Sequence, residues 1–169
     1  MVGLETPFEL KGLKLRNRIV MPPMCQYSVY AEDGTPTDWH YVHYVSRAIG
    51  GTGLIIIEMT NVEPDGRITN RCLGLWSDDH VPAFRRIIRA CQEHGAKVAI
   101  QIAHAGRKAE DAPVPVGPMA EAYSERYRTP RALTTEEVKG LVVKYADAAR
   151  RAVEAGVDAV ELHGAHGYL

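Results

Sequence analysis

Apolar and polar positions along the chain fall into blocks that switch between a period of two and a period near 3.6. Phe8–Leu10 and Leu13–Leu15, split by Lys11-Gly12, predict a short N-terminal hairpin. Residues 18–24 (RIVMPPM) are β-rich but end in two prolines, so only a short extended piece is expected. Asp38 opens a helical stretch through Ile49 that Gly50-Gly51 stops. Residues 53–58 (GLIIIE) form a continuous apolar run, the pattern of a strand buried on both faces of a parallel sheet. Val81, Phe84, Ile87, Ile88 and Cys91 mark one face of a second helix, which ends near Gly95, and Lys97–Ala103 is the next strand. A stretch of about thirty residues rich in Pro, Gly and charge follows (104–133), too long for a simple connector and expected to carry function. Thr134 and Glu137 form a capping box for a third helix. Its buried face is predicted to carry Val138, Leu141, Val142, Tyr145, Ala149 and Val153, with Gly156 as the stop. Residues 157–162 (VDAVEL) are the last strand.

Strands alternating with helices imply parallel βαβ units with right-handed crossovers. That pattern alone allows an open doubly wound sheet or part of a barrel. No glycine-rich dinucleotide fingerprint follows the first strand, and Gly50-Gly51-Thr52-Gly53 precedes a strand, which makes it a helix stop. Polar and reactive side chains collect beyond the C-terminal ends of the strands instead. Cys25 and Tyr27 follow the first, Gln101 and His104 mark the third, and His163, His166 and Tyr168 follow the fourth. Placement at the strand ends is the habit of a (β/α)8 TIM barrel. The fold class expected is therefore α/β, the first four βα units of such a barrel behind an N-terminal hairpin, with residues 1–169 as half of one domain. A whole barrel needs about 250 residues.

Composition narrows the function classes. Of 169 residues, 46% are apolar and 24% charged, enough for a packed core, and a net charge of −1 argues against nucleic-acid or membrane-surface partners. No apolar run approaches the about 18 residues of a membrane span, and no basic region followed by an apolar stretch opens the chain. Cys25, Cys72 and Cys91 are odd in number and form no Cys-x-x-Cys pair, which fits a reducing cytoplasm better than a disulfide framework.

His163-Gly-Ala-His166-Gly-Tyr168 is the densest candidate constellation. Two imidazoles three residues apart converge if the segment turns helically, and their N–H groups can bind a carbonyl oxygen and the charge developing on it. A phenol two residues on can deliver a proton. A metal pair and two structural histidines are the alternatives; the lack of a neighbouring carboxylate or cysteine weighs against metal. Cys25 reads as a reactive thiol or a small buried hydrophobe. Gln101, an amide in an apolar strand, needs a partner, either a ligand or a neighbouring group. Arg107 and Lys108 bind an anion or are solvated.

Read together, Leu15-Arg16-Asn17-Arg18-Ile19-Val20-Met21, Pro23-Met24-Cys25-Gln26-Tyr27-Ser28, Gly66-Arg67-Ile68, Gly74-Leu75-Trp76-Ser77-Asp78, 101–109 (QIAHAGRKA) and 163–169 (HGAHGYL) resemble the old yellow enzyme family, in its bacterial cysteine-containing branch. The resemblance implies an FMN-binding barrel that takes hydride from NADPH or NADH and reduces the C=C bond of α,β-unsaturated carbonyl compounds. It implies that His163 and His166 hold the carbonyl oxygen, that Tyr168 is the proton donor, and that Cys25 tunes the flavin. It implies a substrate-side hydroxyl at Tyr27 and a flavin lining of Pro22, Pro23, Met24, Cys25, Met59, Gln101 and His163, with no metal. Pro22 replaces the serine or alanine common in relatives, and the bulk of Met59 is expected to crowd the ring. The second half of such a barrel carries the phosphate site and further basic flavin contacts. A homo-oligomer, in which two halves close a barrel, is expected. The contrasting reading is a non-enzymatic half-barrel acting as an assembly module, and a closer one is a relative of the dienoyl-CoA-type reductases.

Overall fold

The computed structural model describes residues 2–169. The hairpin forms as read, with β1 (Phe8–Leu10) antiparallel to β2 (Leu13–Leu15). Lys11 and Gly12 both take positive φ at its turn, and glycine at the second of these positions meets no steric cost. The extended piece of 18–24 shrinks to β3 (Val20–Met21), because the following prolines remove ladder donors. Then come α1 (Asp38–Ile49), β4 (Leu54–Asn61) and the short β5 (Leu73–Gly74). They are followed by α2 (Val81–Glu93), β6 (Lys97–Ala103), a minor pair β7 (Val116–Gly117) and β8 (Arg131–Ala132), α3 (Thr135–Ala155) and β9 (Ala159–Leu162).

The main sheet is parallel, in the order β3-β4-β6-β9, with β5 attached to the far end of β4. Spatial order follows chain order without reversal, and α1 packs on α2 and α2 on α3. Helices placed side by side over a sheet that never switches direction form a single-faced layer. A doubly wound sheet would split them across two faces at a switch point. The arrangement is that of consecutive βα units in a (β/α)8 barrel.

Alternation along the strands sorts the side chains. Val98, Ile100 and Ile102 of β6 join Ile55 and Ile57 of β4 in a core closed by Tyr44, Phe84, Ile88, Ala148 and Ala152 of the helices. Gln101 falls on the opposite face. β4 runs three residues further than the apolar run implies, to Asn61. At its polar end Thr60 Oγ1 donates to the Glu58 carbonyl and Asn61 Nδ2 to the Leu73 carbonyl, both at 2.8 Å. The β4–β6 register shifts between Ile57 and Thr60, a bulge that re-aims side chains. Glu58 then reaches Tyr44 on α1, while Met59 enters a second, smaller cluster with Ile68, Cys72 and Ala103 at the C-terminal ends of the strands.

The capping box of α3 forms: Glu137 N–H donates to Thr134 Oγ1 at 3.2 Å and Thr134 N–H to Glu137 Oε2 at 2.8 Å. Gly156 closes the helix at φ +100. The expected buried face is only partly right. Leu141 is buried, but Val142 and Val153 are 64% and 67% exposed, and the covered positions are Ala148, Ala152 and Ala155. Small side chains let α3 settle closely on α2 and β6, which turns the valines outward. Val138 and Val142 border an apolar groove with Tyr145, Leu162 and Leu169. At the other end of the sheet, the Arg16 guanidinium collects the carbonyls of Ala48, Thr52 and His94 at 2.7–2.9 Å, and Asn17 Nδ2 donates to Gly51 at 2.7 Å. No described helix is long and apolar enough to cross a membrane.

Candidate functional site

A cleft of about 440 Å³ opens at the C-terminal ends of β3, β4, β6 and β9. Pro22, Pro23, Cys25, Met59, Gln101, His163, His166 and Tyr168 all line it, together with Glu161. Residues far apart in sequence thus converge on one site, as barrel topology requires. Met24, between Pro23 and Cys25 in the chain, is not among the lining residues; it is about half exposed, with its carbonyl accepting from Gln26 Nε2 at 2.8 Å. Tyr27 is likewise exposed and lines an adjoining depression with Ile68, Thr69 and Glu110. Its φ of +51 is costly for a tyrosine. Such strain persists only where surroundings impose it, and it clusters at functional positions.

Gln101 Nε2 donates to Glu161 Oε1 at 2.7 Å across the β6–β9 pair. Its amide oxygen stays free to face a ligand in the cleft. Met59 is only 3% exposed, since its side chain packs into the cluster with Ile68 and Cys72. It also lines the cleft.

The 163–168 segment turns tightly, with His166 at φ +59 and Gly167 at φ +63. His163 N–H continues the ladder to the Ile102 carbonyl at 3.1 Å. The His163 ring meets the His166 ring at 5.8 Å and the Tyr168 ring at 5.0 Å, centre to centre, both edge to face. Ala165 N–H donates to His163 Nδ1 at 3.2 Å, which places the ring proton on Nε2. Burial, and then the neighbouring His166, push the His163 pKa below its ordinary value, so the ring is neutral at pH 7. Burial also raises the Tyr168 pKa, keeping the phenol protonated.

Arg107 and Lys108 are not solvated cations. Lys108 Nζ donates to the His166 carbonyl at 2.6 Å and lies 4.8 Å from the Tyr168 ring centre, and Arg107 Nε donates to the Gly167 carbonyl at 3.0 Å. Gly106 lets this strap approach: a Cβ there would stand 2.6 Å from the Tyr168 carbonyl oxygen. His104 is buried and structural, with Nδ1 accepting from Gly106 N–H at 2.8 Å and Nε2 paired with Glu63 Oε1 at 2.7 Å. Lys144 of α3 pairs with the other oxygen of Glu63. The His104 bond, reinforced by Lys144 and opposed by partial burial, holds the Glu63 carboxyl down to about 2.

Sequence reasoning missed Glu58. It is fully buried; its Oε1 accepts from Gln26 N–H at 3.1 Å and its Oε2 from the Tyr44 hydroxyl at 2.9 Å. It therefore fixes the loop that carries Cys25 and Tyr27. The available signal was a carboxylate ending an apolar strand run. Glu161 was also missed; its signal is a charge at a strand position opposite Gln101.

Comparison with known proteins agrees with this geometry. Residues 4–169 match the NADH:flavin oxidoreductase / NADH oxidase family. An NADPH dehydrogenase of Listeria welshimeri is 52% identical over all of this chain and 50% of its own length. One of Bacillus subtilis is 49% identical over 98% of this chain and 49% of its own. The chain spans about half the length of these curated relatives. Among solved structures, morphinone reductase superposes with a TM-score of 0.89 at 33% identity, covering 99% of this chain and 49% of that one. An old yellow enzyme homologue from Zymomonas mobilis gives 0.89 at 32% identity, over 98% of this chain and 49% of its own. Sequence, sheet order and the placing of the cleft converge on one assignment: the chain belongs to the NADH:flavin oxidoreductase / NADH oxidase family.

Proposed function

We propose that this chain forms the substrate-binding half of an FMN-dependent, NAD(P)H-consuming ene-reductase that acts on α,β-unsaturated aldehydes and ketones. The single observation that carries the reading is the convergence of His163, His166 and Tyr168 over a cleft floored by Pro23, Met59 and Gln101. The lining suits a flavin: Pro22, Pro23 and Met59 offer apolar surface to the ring, the Gln101 amide offers a polar partner, and the Cys25 thiol a further contact. Pro22, Pro23, Cys25, Met59, Gln101 and His163 would hold the ring, and Met24, next in the chain to Pro23 and Cys25, belongs to the same proposed set. FMN, when bound, supplies hydride and is replenished from NADPH or NADH.

The chain's own residues do the rest. Nε2–H of neutral His163, with His166 beside it, donates to the substrate's carbonyl oxygen, and Tyr27 borders the same mouth. This draws electron density from the β-carbon, where hydride arrives, and stabilises the charge that builds on oxygen. Tyr168, held protonated, gives its proton to the α-carbon. Self-association of the chain as a homo-oligomer and a cytoplasmic setting belong to the same reading.

The test is enone turnover with FMN and NADPH, preceded by the visible spectrum of the chain after loading with FMN and desalting. Retained flavin absorption and turnover that falls about 10²–10⁴-fold in Tyr168→Phe support the reading. Flavin retention with undiminished turnover in Tyr168→Phe would remove Tyr168 as the donor. A colourless protein would favour a half-barrel that does not hold FMN by itself.

A further inference from the structure

Gln101 and Glu161 stand opposite each other in the β6–β9 register, and both line the cleft. Their strand neighbours Ile100, Ile102 and Val160 turn the other way, into or against the core under the helices. Gln101 and Glu161 therefore share the face of the sheet away from the helices. On the β4 side the bulge takes Glu58 to Tyr44 and Gln26, and Met59 brings an apolar side chain to the cleft instead. Among the described residues Glu161 is thus the one carboxylate in the cleft lining.

A glutamine amide has two donors on its nitrogen and an acceptor on its oxygen, and the two ends are nearly identical in shape. An ionised carboxylate only accepts. Gln101 Nε2 donates to Glu161 Oε1 at 2.7 Å, whereas the reversed amide would set oxygen against oxygen at that distance. The carboxylate therefore dictates which end of the amide turns toward it and which end is left for the cleft. Gln101 Oε1 accepts no hydrogen bond from the described residues and is not among their buried unpartnered atoms, so it opens on the cleft.

We propose that Glu161 is a positioning residue that locks the Gln101 amide with its oxygen toward the cleft, so that the site selects an occupant bearing a ring N–H at that point over one bearing only an acceptor. The consequence for flavin rests on the reading of the cleft given above. An oxidised isoalloxazine carries one ring N–H, at N3, and this is the group a fixed amide oxygen would take. In Glu161→Gln the new side chain can donate or accept, so the Gln101 amide is free to turn either way and the selection is lost.

The lock itself is read without flavin, by NMR of the isotope-labelled chain. The Gln101 side-chain amide is the pair of signals lost in Gln101→Met. Its Nε2 protons are expected to exchange with water about tenfold more slowly than those of a blocked glutamine, and Glu161→Leu to return them to that reference. Equal exchange in the unsubstituted chain and in Glu161→Leu would overturn the proposal. The orientation is read from the dissociation constants of FMN and 3-methyl-FMN, which lacks the N–H. The bulk of the methyl group is common to both proteins, so the change in preference isolates the amide. The unsubstituted chain should favour FMN by about tenfold, and Glu161→Gln should narrow that preference at least about threefold with an unchanged urea midpoint. The same preference in both proteins would also overturn the proposal. Failure of both flavins to bind, with amide protection still dependent on Glu161, would remove the flavin reading of the cleft and leave the lock standing.

Discussion

Replacing Glu63 by glutamine isolates the ion pair that ties the long segment after β6 to α3. Glu63 takes the His104 Nε2–H on one oxygen and Lys144 on the other, and its side chain is 20% exposed. Glutamine keeps an acceptor for His104 but removes the charge. In the folded chain the carboxyl pKa falls from 4.5 to about 2, and at 1.36 kcal/mol per unit the fall is worth about 3 kcal/mol. Lys144 is roughly half exposed, so its share is screened, and the net cost of Glu63→Gln at pH 7 is about 1.5–3 kcal/mol. A folded pKa below the unfolded one stabilises wherever the group is ionised in both states. The contribution is thus complete above pH 4.5 and drains away as pH falls toward 2. Urea unfolding followed by the fluorescence of Trp39 and Trp76, repeated in steps from pH 7 to pH 3, reads the difference between the two proteins. A cost below about 0.5 kcal/mol at pH 7, or a difference that does not shrink on acidification, would refute the reasoning.

Lys108→Met keeps the stem against Tyr123 and Tyr168 but deletes the bond to the His166 carbonyl; enone turnover should fall about tenfold or more with little change in unfolding midpoint. An unchanged rate would mean the 163–168 turn holds itself. The His163 imidazole should titrate below pH 6.5 by NMR, because burial and His166 both oppose its charging. It therefore stabilises the fold above pH 6.5 and loses that contribution as pH falls through its lowered value; a midpoint at or above 6.5 would contradict the argument from burial and the neighbouring His166. Arg16→Ala leaves the Ala48, Thr52 and His94 carbonyls to water and should cost about 1–2 kcal/mol in urea without altering the spectrum of any flavin retained at the opposite end.

Local rules reached far into this fold. Period and punctuation located the hairpin, α1, β6 and the cap of α3 because each rests on interactions within a few residues. The face of α3 was read in part: Leu141, Tyr145 and Ala149 do face the core, but the valines that repeat at the same helical spacing do not, and only packing against α2 shows that Ala148, Ala152 and Ala155 are covered. The motif residues divide by role in a way that spacing does not reveal. Arg16 and Asn17 secure the N-terminal end of the sheet, far from any chemistry, whereas Arg107 and Lys108 grip the turn that carries His166 and Tyr168. Glu58 escaped because a single carboxylate at a strand end does not announce the bulge that points it at Tyr44.

The unreversed order of the main sheet bears on how the chain can be made. β4 docks beside β3, β6 beside β4 and β9 beside β6, so each new strand finds its template already in place when it leaves the ribosome. No strand waits for a later one to be inserted between existing neighbours. Growth by addition to one edge keeps the closing loops short, and it lets folding keep pace with synthesis from the N-terminus. On such a path the hairpin and Arg16 act as a starting block: the first sits ahead of every βα unit, and the second binds the carbonyl ends of α1 and α2 as each is completed.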